Sequence, residues 1–561
     1  MSVSPARPVR QAAHRPAIPF PRRLLLWPAL LFLAVFFFQP LARILVLGLN
    51  VEALDPANLG KALDVLGFTV WQALLSTLLT FALGLPAAYL FARFEFPGKS
   101  LLRALTAVPF MLPTVVVAAG FNALLGPRGW LHALFPSLEF QLTGTLAAIL
   151  MAHVFYNTTI VIRILGNALT HLDERLEQAA RTLGADGLRV WLEVTLPLLR
   201  GPLLAAGLLV FLFDFTSFGV ILLLGGARFS SLEVEIYIQA LQRLNLPAAA
   251  LLSLVQLLCT LAFSLLYVRV VERSLVPTAP RPAHARRADS LTTRLFVGGM
   301  ALLLAACFAL PILALPIRSL TRLDADRGQR GEVAYGLTAD YYRELFINRS
   351  GSIFHVPPVA AARNSLGYAA VTVALSLALG LPAASALSRP GRLERFLDLF
   401  LVLPLGASAV TLGLGFLLSF GRFLASPWLV PLAHTLIALP FVIRTLQPAI
   451  ASIPQRLREA AASLGASPFE VWRAVDWPIL SRAVLASSSF AFTVSLGEFG
   501  AASLLVRPDY PTLPVAIARF LSQPGGLNYG QAMAMSTLLM ALTLLAILGI
   551  EKLRLPGAGE F

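Results

Sequence analysis

Two stretches decide the fold: LEQAARTLGADGLRVWLEVTLPLL at residues 176–199 and LREAAASLGASPFEVWRAVDWPIL at residues 457–480. They align without a gap at an offset of 281 (457 − 176). In the second copy Leu457, Ala460, Ala461 and Leu464 recur at i, i+3, i+4 and i+7, the spacing of one helical face. Gly465 follows, where a left-handed residue would close that helix. Ser467-Pro468-Phe469-Glu470 then has the form of a capping box with proline at the first helical position, so a second helix starts at once. Val471, Trp472 and Val475 supply its apolar positions, and Pro478 marks the entry to the next apolar run. The first copy repeats the pattern with Ala179, Ala180, Leu183, Gly184, Asp186 as N-cap, Val190, Trp191, Val194 and Pro197. Each copy therefore predicts a short helix–turn–helix held between two long apolar segments.

The repetition spreads outward from these stretches. ALGLPAA occurs at 82–88 and at 378–384, Ala152-His153 matches Ala433-His434, and Val161-Ile162-Arg163 matches Val442-Ile443-Arg444. Phe218-Gly219 matches Phe499-Gly500, and SSLEVEI (230–236) matches PTLPVAI (511–517). From Ala152 onward the offset stays at 281, so the duplication is of whole domains.

Of the 561 residues 57% are hydrophobic and only 13% charged, against roughly 25% charged in a soluble domain, so the chain is built for a bilayer. Runs of about 20 apolar residues, enough to cross one, fall near 24–47, 66–92, 104–125, 142–165, 202–224 and 247–270, then near 295–317, 364–387, 397–420, 428–447, 483–506 and 531–550. The expected fold is all-α, with about twelve membrane helices in two six-helix repeats. An even number per repeat puts both halves in the membrane the same way round, with a pseudo-twofold along the membrane normal.

The first run follows Arg7, Arg10, Arg15, Arg22 and Arg23, is too long for a signal-peptide core, and is read as a retained span. With that end in the cytoplasm, basic residues gather on the same side: Arg93, Lys99 and Arg103, then Arg269, Arg273, Arg281, Arg286, Arg287 and Arg294, then Arg389, Arg392 and Arg395, and finally Lys552 and Arg554. Both repeated stretches lie on this side. The expected division is a basic N-terminus (1–23), a first half (24–271), a Pro- and Arg-rich linker (272–293), a second half (294–551) and a tail (552–561), with both termini cytoplasmic. The outer segment 318–362 is expected to make a small cap or lateral helix.

Other chemistry is excluded by what is missing. Cys259 and Cys307 lie inside apolar runs, and no histidine has a Cys or His neighbour at metal-ligand spacing. Gly98-Lys99-Ser100 is no phosphate loop, because Arg93 stands where its first glycine belongs. The net charge of +15 follows the loops of a membrane chain and forms no aromatic-plus-basic nucleic-acid module. The residues thus provide no catalytic group, no metal site and no cofactor site.

Carboxylates inside apolar runs are costly in lipid, about 2.5–3.5 kcal/mol or more each, and mark candidate pathways. Asp214 and Glu498 stand in equivalent runs, and the repeat places Asp214 opposite Ser495 and Ser217 opposite Glu498. With Phe218 and Phe499 these residues are the candidate lining of a central path, where anionic and aromatic groups suit a cation. The alternative is that the carboxylates cap polar helix–helix contacts and the aromatics pack. His153 and His434, related by the repeat, are expected to make hydrogen bonds common to both halves, and Arg163 and Arg444 to anchor the helix–turn–helix loops.

The order E-A-A, three residues, G, then a distal W-P or L-P resembles the EAA loop of binding-protein-dependent ABC importer permeases. Glu459, Ala460, Ala461, Gly465 and Pro478 match it throughout; Gln178, Ala179, Ala180, Gly184 and Pro197 match with Gln in place of Glu and with Glu177 adjacent. The resemblance covers nearly the whole chain, and its fused two-by-six arrangement is also a family form. WQALLS (71–76), GPRGWL (126–131), MAHVFYN (151–157), SLEVEIYIQAL (231–241) and SLGEFG (495–500) are most similar to thiamine permeases and their ferric-iron relatives. The resemblance implies that these loops are coupling helices seated in two separate ATP-binding cassette subunits, which use the ATP and Mg, and that an extracytoplasmic binding protein delivers a small cation, thiamine or Fe(III), across a bacterial inner membrane. A stand-alone secondary transporter of twelve spans is the rival reading; it requires intramembrane ion relays and a basic Gly-Asp-Arg loop after the second span, where this chain has RFEFPGKSLLR.

Overall fold

The computed structural model describes residues 22–134, 142–273, 286–322, 336–347 and 357–553. Arg7, Arg10, Arg15, Arg281 and Arg554, and residues 274–285 of the expected linker, lie outside them. Among the described residues ten helices are long and apolar enough to cross a membrane, and two further bent pairs bring the number to as many as twelve. In chain order the first half has span 1 (Arg23–Gly48), span 2 (Pro56–Arg93), the bent span 3 (Lys99–Met111 and Thr114–His132), span 4 (Leu146–Thr170), span 5 (Gly187–Phe215) and span 6 (Leu246–Val271). The second half has span 7 (Leu291–Ser319), span 8 (Pro358–Leu387), the bent span 9 (Arg392–Gly406 and Ala409–Phe423), span 10 (Leu429–Ala451), span 11 (Pro468–Gly497) and span 12 (Gly526–Ala546). The chain is an all-α, multi-pass membrane protein.

Four of the expected continuous runs are broken. Spans 3 and 9 turn by 113° and 99°. Proline removes a backbone donor and drives its predecessor out of the helical region, and Pro109 and Pro113 sit at the first bend as Pro404 sits at the second. The expected runs 202–224 and 483–506 end as helices at Phe215 and Gly497 and restart as short helices, Gly219–Leu224 and Gly500–Leu505.

The halves are laced together by exchanged first spans. Leu26, Ala29, Phe32, Leu33 and Phe37 of span 1 are buried with Ala383, Leu387, Phe416 and Leu436 of the second half. Val297, Leu304, Phe308 and Leu315 of span 7 are buried with Val116, Phe121 and Phe155 of the first, and Phe308 stacks on Phe155 at 5.4 Å. The approach is close at equivalent glycines. A Cβ on Gly120 would lie 2.7 Å from the Pro311 carbonyl oxygen, and one on Gly415 would lie 2.8 Å from the Pro40 Cβ. Small residues let helix backbones meet where lipid supplies no hydrophobic drive.

At one end of the helices the described part of 318–362 holds a Thr321–Leu337 bridge, an Arg322–Asp340 ion pair at 3.0 Å and a short helix, Asp340–Glu344. Residues 323–335 and 348–356 lie outside the described segments. On the opposite side, Phe94-Glu95 and Arg286-Arg287 form a two-stranded parallel pair, so the end of the linker is tied to the end of span 2.

Candidate functional site

The repeated loops take the conformation their residues demand. Helix Glu174–Thr182 closes at Gly184 with φ +90°, and helix Gln455–Ser463 closes at Gly465 with φ +87°. A side chain there would be strained, because Cβ crowds the carbonyl in the left-handed region. Asp186 accepts the Arg189 amide at 2.8 Å. Ser467 and Glu470 complete the capping box, with Glu470 accepting the Ser467 amide at 2.7 Å. That backbone donor holds the exposed Glu470 carboxyl below its ordinary range.

The second helix of each loop does not stop at the proline. It passes through a π-helical turn, Val190–Thr195 or Trp472–Asp476, and continues as the span. Pro197 and Pro478 sit just after these turns, and the wider i→i+5 bonds (Leu196 N–H to Trp191 O, Trp477 N–H to Trp472 O) accommodate the missing donor and the ring. Any push on the loop is therefore delivered along spans 5 and 11.

The loops present small and apolar residues outward. Gln178, Ala179, Glu459 and Ala460 are exposed, with Ala180 and Ala461 half-buried. The equivalent Leu183 and Leu464 are 88% and 89% exposed.

One residue that holds the first loop was read in the sequence only as a topological charge. Arg93, at the end of span 2, is 1% exposed and meets Glu174 at 2.6 Å and Glu177 at 2.8 Å, while Thr195 donates to Glu177 at 3.1 Å. At the repeat-related positions Arg389 donates to neutral Gln455, and Arg458 pairs with Asp476 at 2.7 Å. The recoverable signal was that Arg93 and Arg389 share the offset of the ALGLPAA repeat (389 − 93 = 296 = 378 − 82). Arg444 instead binds Asp398 at 3.1 Å and Gln447 at 3.1 Å, so its partners lie on spans 9 and 10 and not on the loop. Lys99 pairs with Glu95 at 2.6 Å.

The intramembrane candidates form two matching clusters. His153 is 2.9 Å from Ser76 through Nδ1 and 2.8 Å from Ser217 through Nε2, with Asp214 3.4 Å from Nδ1. Asn157 donates to Asp214 at 2.7 Å, and Gln72 donates to its backbone carbonyl at 2.9 Å. In the second half His434 is 2.8 Å from Ser495 through Nδ1 and 3.2 Å from Glu498 through Nε2, and Ser495 donates to Thr372 at 3.3 Å. The two halves exchange roles about one imidazole frame: acid then hydroxyl in the first, hydroxyl then acid in the second. Glu498 also accepts the Ala501 and Ala502 amides at 2.9 Å each, capping the restarted helix. Asp214 and Glu498 are thus both buried, each within its own half.

Phe218 and Phe499 do meet across the halves, stacked at 5.2 Å. Phe215 packs within the first half against Phe211 and Phe263.

Sequence comparison bears on this geometry directly. The family described as "Binding-protein-dependent transport system inner membrane component" matches twice, over residues 81–275 and 376–552. The thiamine transport system permease protein ThiP of Brucella abortus is 30% identical over 492 residues, covering 85% of this chain and 86% of that protein. ThiP of Escherichia coli is 28% identical over 507 residues (88% and 89%), and a probable ABC transporter permease, y4fN, of Sinorhizobium fredii is 28% identical over 512 residues (88% of each). Two family matches, one on each half and each containing one loop with a left-handed glycine, place this chain in the binding-protein-dependent transport system inner membrane component family, as a fused two-half ABC importer permease.

Proposed function

We propose that this chain is the membrane subunit of a thiamine importer, working with two ATP-binding cassette subunits on the loop side and a solute-binding protein on the other. The observation that carries the reading is the pair of equivalent loops, each ending in an exposed leucine and rooted through an unbroken helix in a span. Similarity to thiamine permeases over most of the chain supports the cargo. The excess of Lys and Arg on the loop side supports a cytoplasmic position for loops and termini in a bacterial inner membrane.

In the proposed cycle, ATP closes the cassettes, the two loops move together, and spans 5 and 11 carry that motion to the seam where Phe218 and Phe499 stack. The stack parts as the halves rock about the pseudo-twofold, and the binding protein discharges into the opening. Asp214, Ser217, Ser495 and Glu498 stand behind the stack and hold the broken ends of spans 5 and 11, from which they would border the opened path. ATP is hydrolysed in the partners, with Mg as their cofactor, and this chain performs no chemistry.

The test is uptake of [14C]thiamine and 55Fe(III) into vesicles containing the chain with its ATPase and binding protein, with and without ATP. ATP-dependent thiamine accumulation that is lost in Gly465→Pro supports coupling and cargo together. Accumulation of iron alone keeps the machine and replaces the cargo. Uptake without any ATPase refutes the importer reading in favour of a secondary transporter.

A further inference from the structure

Behind the seam lies a second buried carboxylate system that the repeat does not duplicate. Helix Leu232–Tyr237 carries two acids. Glu235 is satisfied by Lys61 at 2.5 Å, Gln239 at 2.7 Å and Ser230 at 2.9 Å. Glu233 is different. It is 1% exposed, takes a hydrogen bond from Gln256 at 2.9 Å through Oε1 and is reached by the Ser408 hydroxyl, while Oε2 has no partner at full hydrogen-bond geometry. The helix that bears it packs against Ala409–Phe420 of the other half, and the Ser408 hydroxyl at the bend of span 9 stands beside the carboxylate.

The surroundings are rich in unsatisfied oxygen. Gln256 Oε1, Ser253 Oγ and Thr411 Oγ1 also lack partners, and these three side chains are at most 2% exposed. Ser253 lies one turn before Gln256 on span 6, and Thr411 one turn after Ser408 on span 9, so each pair shares a helix face. Gln256 Oε1 can only accept, and burial raises the Glu233 carboxyl to about 8, so an entering cation would meet one acceptor without a donor and one acid that gives up its proton as the cation binds. Buried polar atoms are normally paired, and four unpaired oxygens on three helices that pack on one another need a reason. The wall facing them belongs to the half that must move. Thr260, one turn beyond Gln256, donates to the Gly406 carbonyl of span 9 at 2.7 Å, so separating the halves breaks this contact and uncovers the carboxylate.

We infer that Glu233, with Gln256, Ser253 and Thr411, forms a single cation-binding site at the inter-half seam, closed in this conformation and opened when the halves part, and that its ligand is a small organic cation with a hydrogen-bond donor. Its asymmetry matches a cargo of one molecule: the repeat places Pro514 opposite Glu233 and Thr537 opposite Gln256, so the second half offers no matching acid. The cargo's identity rests on the importer reading above; the existence of the site does not.

Two measurements on the complex reconstituted with its ATPase and binding protein separate these. The first compares ATP-driven uptake of thiamine with that of 3-deazathiamine, its uncharged isostere, in wild type, Glu233→Gln and Glu233→Asp. Loss of one charge-assisted contact should raise the KM for thiamine about 10- to 100-fold in Glu233→Gln. Uptake of the neutral analogue should be unchanged, and Glu233→Asp should recover part of the thiamine affinity. Equal losses for both cargoes, or no loss for either, overturn the inference.

The second measurement needs no cargo. In a Cys259→Ser, Cys307→Ser background, Ser253→Cys is labelled with a trimethylammonium or a sulfonate methanethiosulfonate reagent. Cycling with ATP should let the cationic reagent react about tenfold faster than the anionic one, and Glu233→Gln should abolish that preference. Equal rates, or no ATP-dependent reaction with either reagent, overturn the site. If wild type accumulates no thiamine, the cargo assignment falls and the labelling alone decides the seam.

Discussion

Replacing Arg93 by alanine should free the first loop far more than replacing Arg389 frees the second. Arg93 is 1% exposed and binds two carboxylates whose side chains are 37% and 15% exposed. Removing one partner from a buried ion pair costs about 3–5 kcal/mol. Because Glu174 is more than a third exposed, its share is screened and worth under about 1 kcal/mol, leaving roughly 2–4 kcal/mol for the loss of Arg93. Arg389 makes one hydrogen bond to a neutral amide in an exposed setting, worth about 0.5–1.5 kcal/mol. Hydrogen–deuterium exchange of the full chain in nanodiscs reads this difference locally. Amides of Glu174–Thr182 should exchange about 30- to 700-fold faster in Arg93→Ala, since 1.4 kcal/mol is a factor of ten. Amides of Gln455–Ser463 should accelerate by no more than about tenfold in Arg389→Ala. Equal acceleration of both loops, or none in the first, would refute the claim that a buried arginine fixes one loop and a neutral contact the other.

The exchanged spans give a paired test: Gly120→Val and Gly415→Val should each destabilise the packed halves by about 1–3 kcal/mol through overpacking, read as lower thermal stability in detergent, and unaltered stability would contradict the close approach to Pro311 and Pro40. In the second repeated loop, the capping box contributes stability above the ordinary carboxyl range, because the folded state lowers the Glu470 pKa. Exchange of the Ser467, Glu470 and Val471 amides, corrected for intrinsic rate, should therefore stay constant near neutrality and rise as pH falls through and below 4.5, the unperturbed value; Glu470→Gln should flatten that rise. Finally, Phe218→Ala and Phe499→Ala should couple in a double-mutant cycle of ATP-driven uptake by about 0.5–1.5 kcal/mol, the worth of a stacked aromatic pair, whereas additive effects would mean that the stack does not act as one contact.

Much of the loop was legible because its determinants are local. A left-handed glycine, a proline at the first helical turn and a serine three residues before a glutamate each act on their own backbone, so Gly184, Gly465 and the Ser467–Glu470 box fold as read. The path residues were legible only in part. The repeat rightly paired Asp214 with Ser495 and Ser217 with Glu498, yet it could not say that each carboxylate would face a histidine of its own half. Nor could it say that Phe218 and Phe499 would stack on each other across the seam. Glu233 was visible as an acid in an apolar stretch whose second copy lacks it, but its unpaired oxygen is a property of packing.

The sequence by itself determined the order of apolar segments, the duplication and the loop stereochemistry, since all depend on residues close in the chain or on composition. Only the tertiary structure decided which surfaces meet. Each first span packs on the opposite half, and the seam is closed by Phe218 on Phe499 and by Glu233 beside Ser408. In a bilayer every apolar face is equally soluble in lipid, so hydrophobicity cannot choose the neighbour. Shape does, at places such as Gly120 beneath Pro311, and so does the need of a buried charge for a partner, as Arg93 finds two glutamates 81 and 84 residues away.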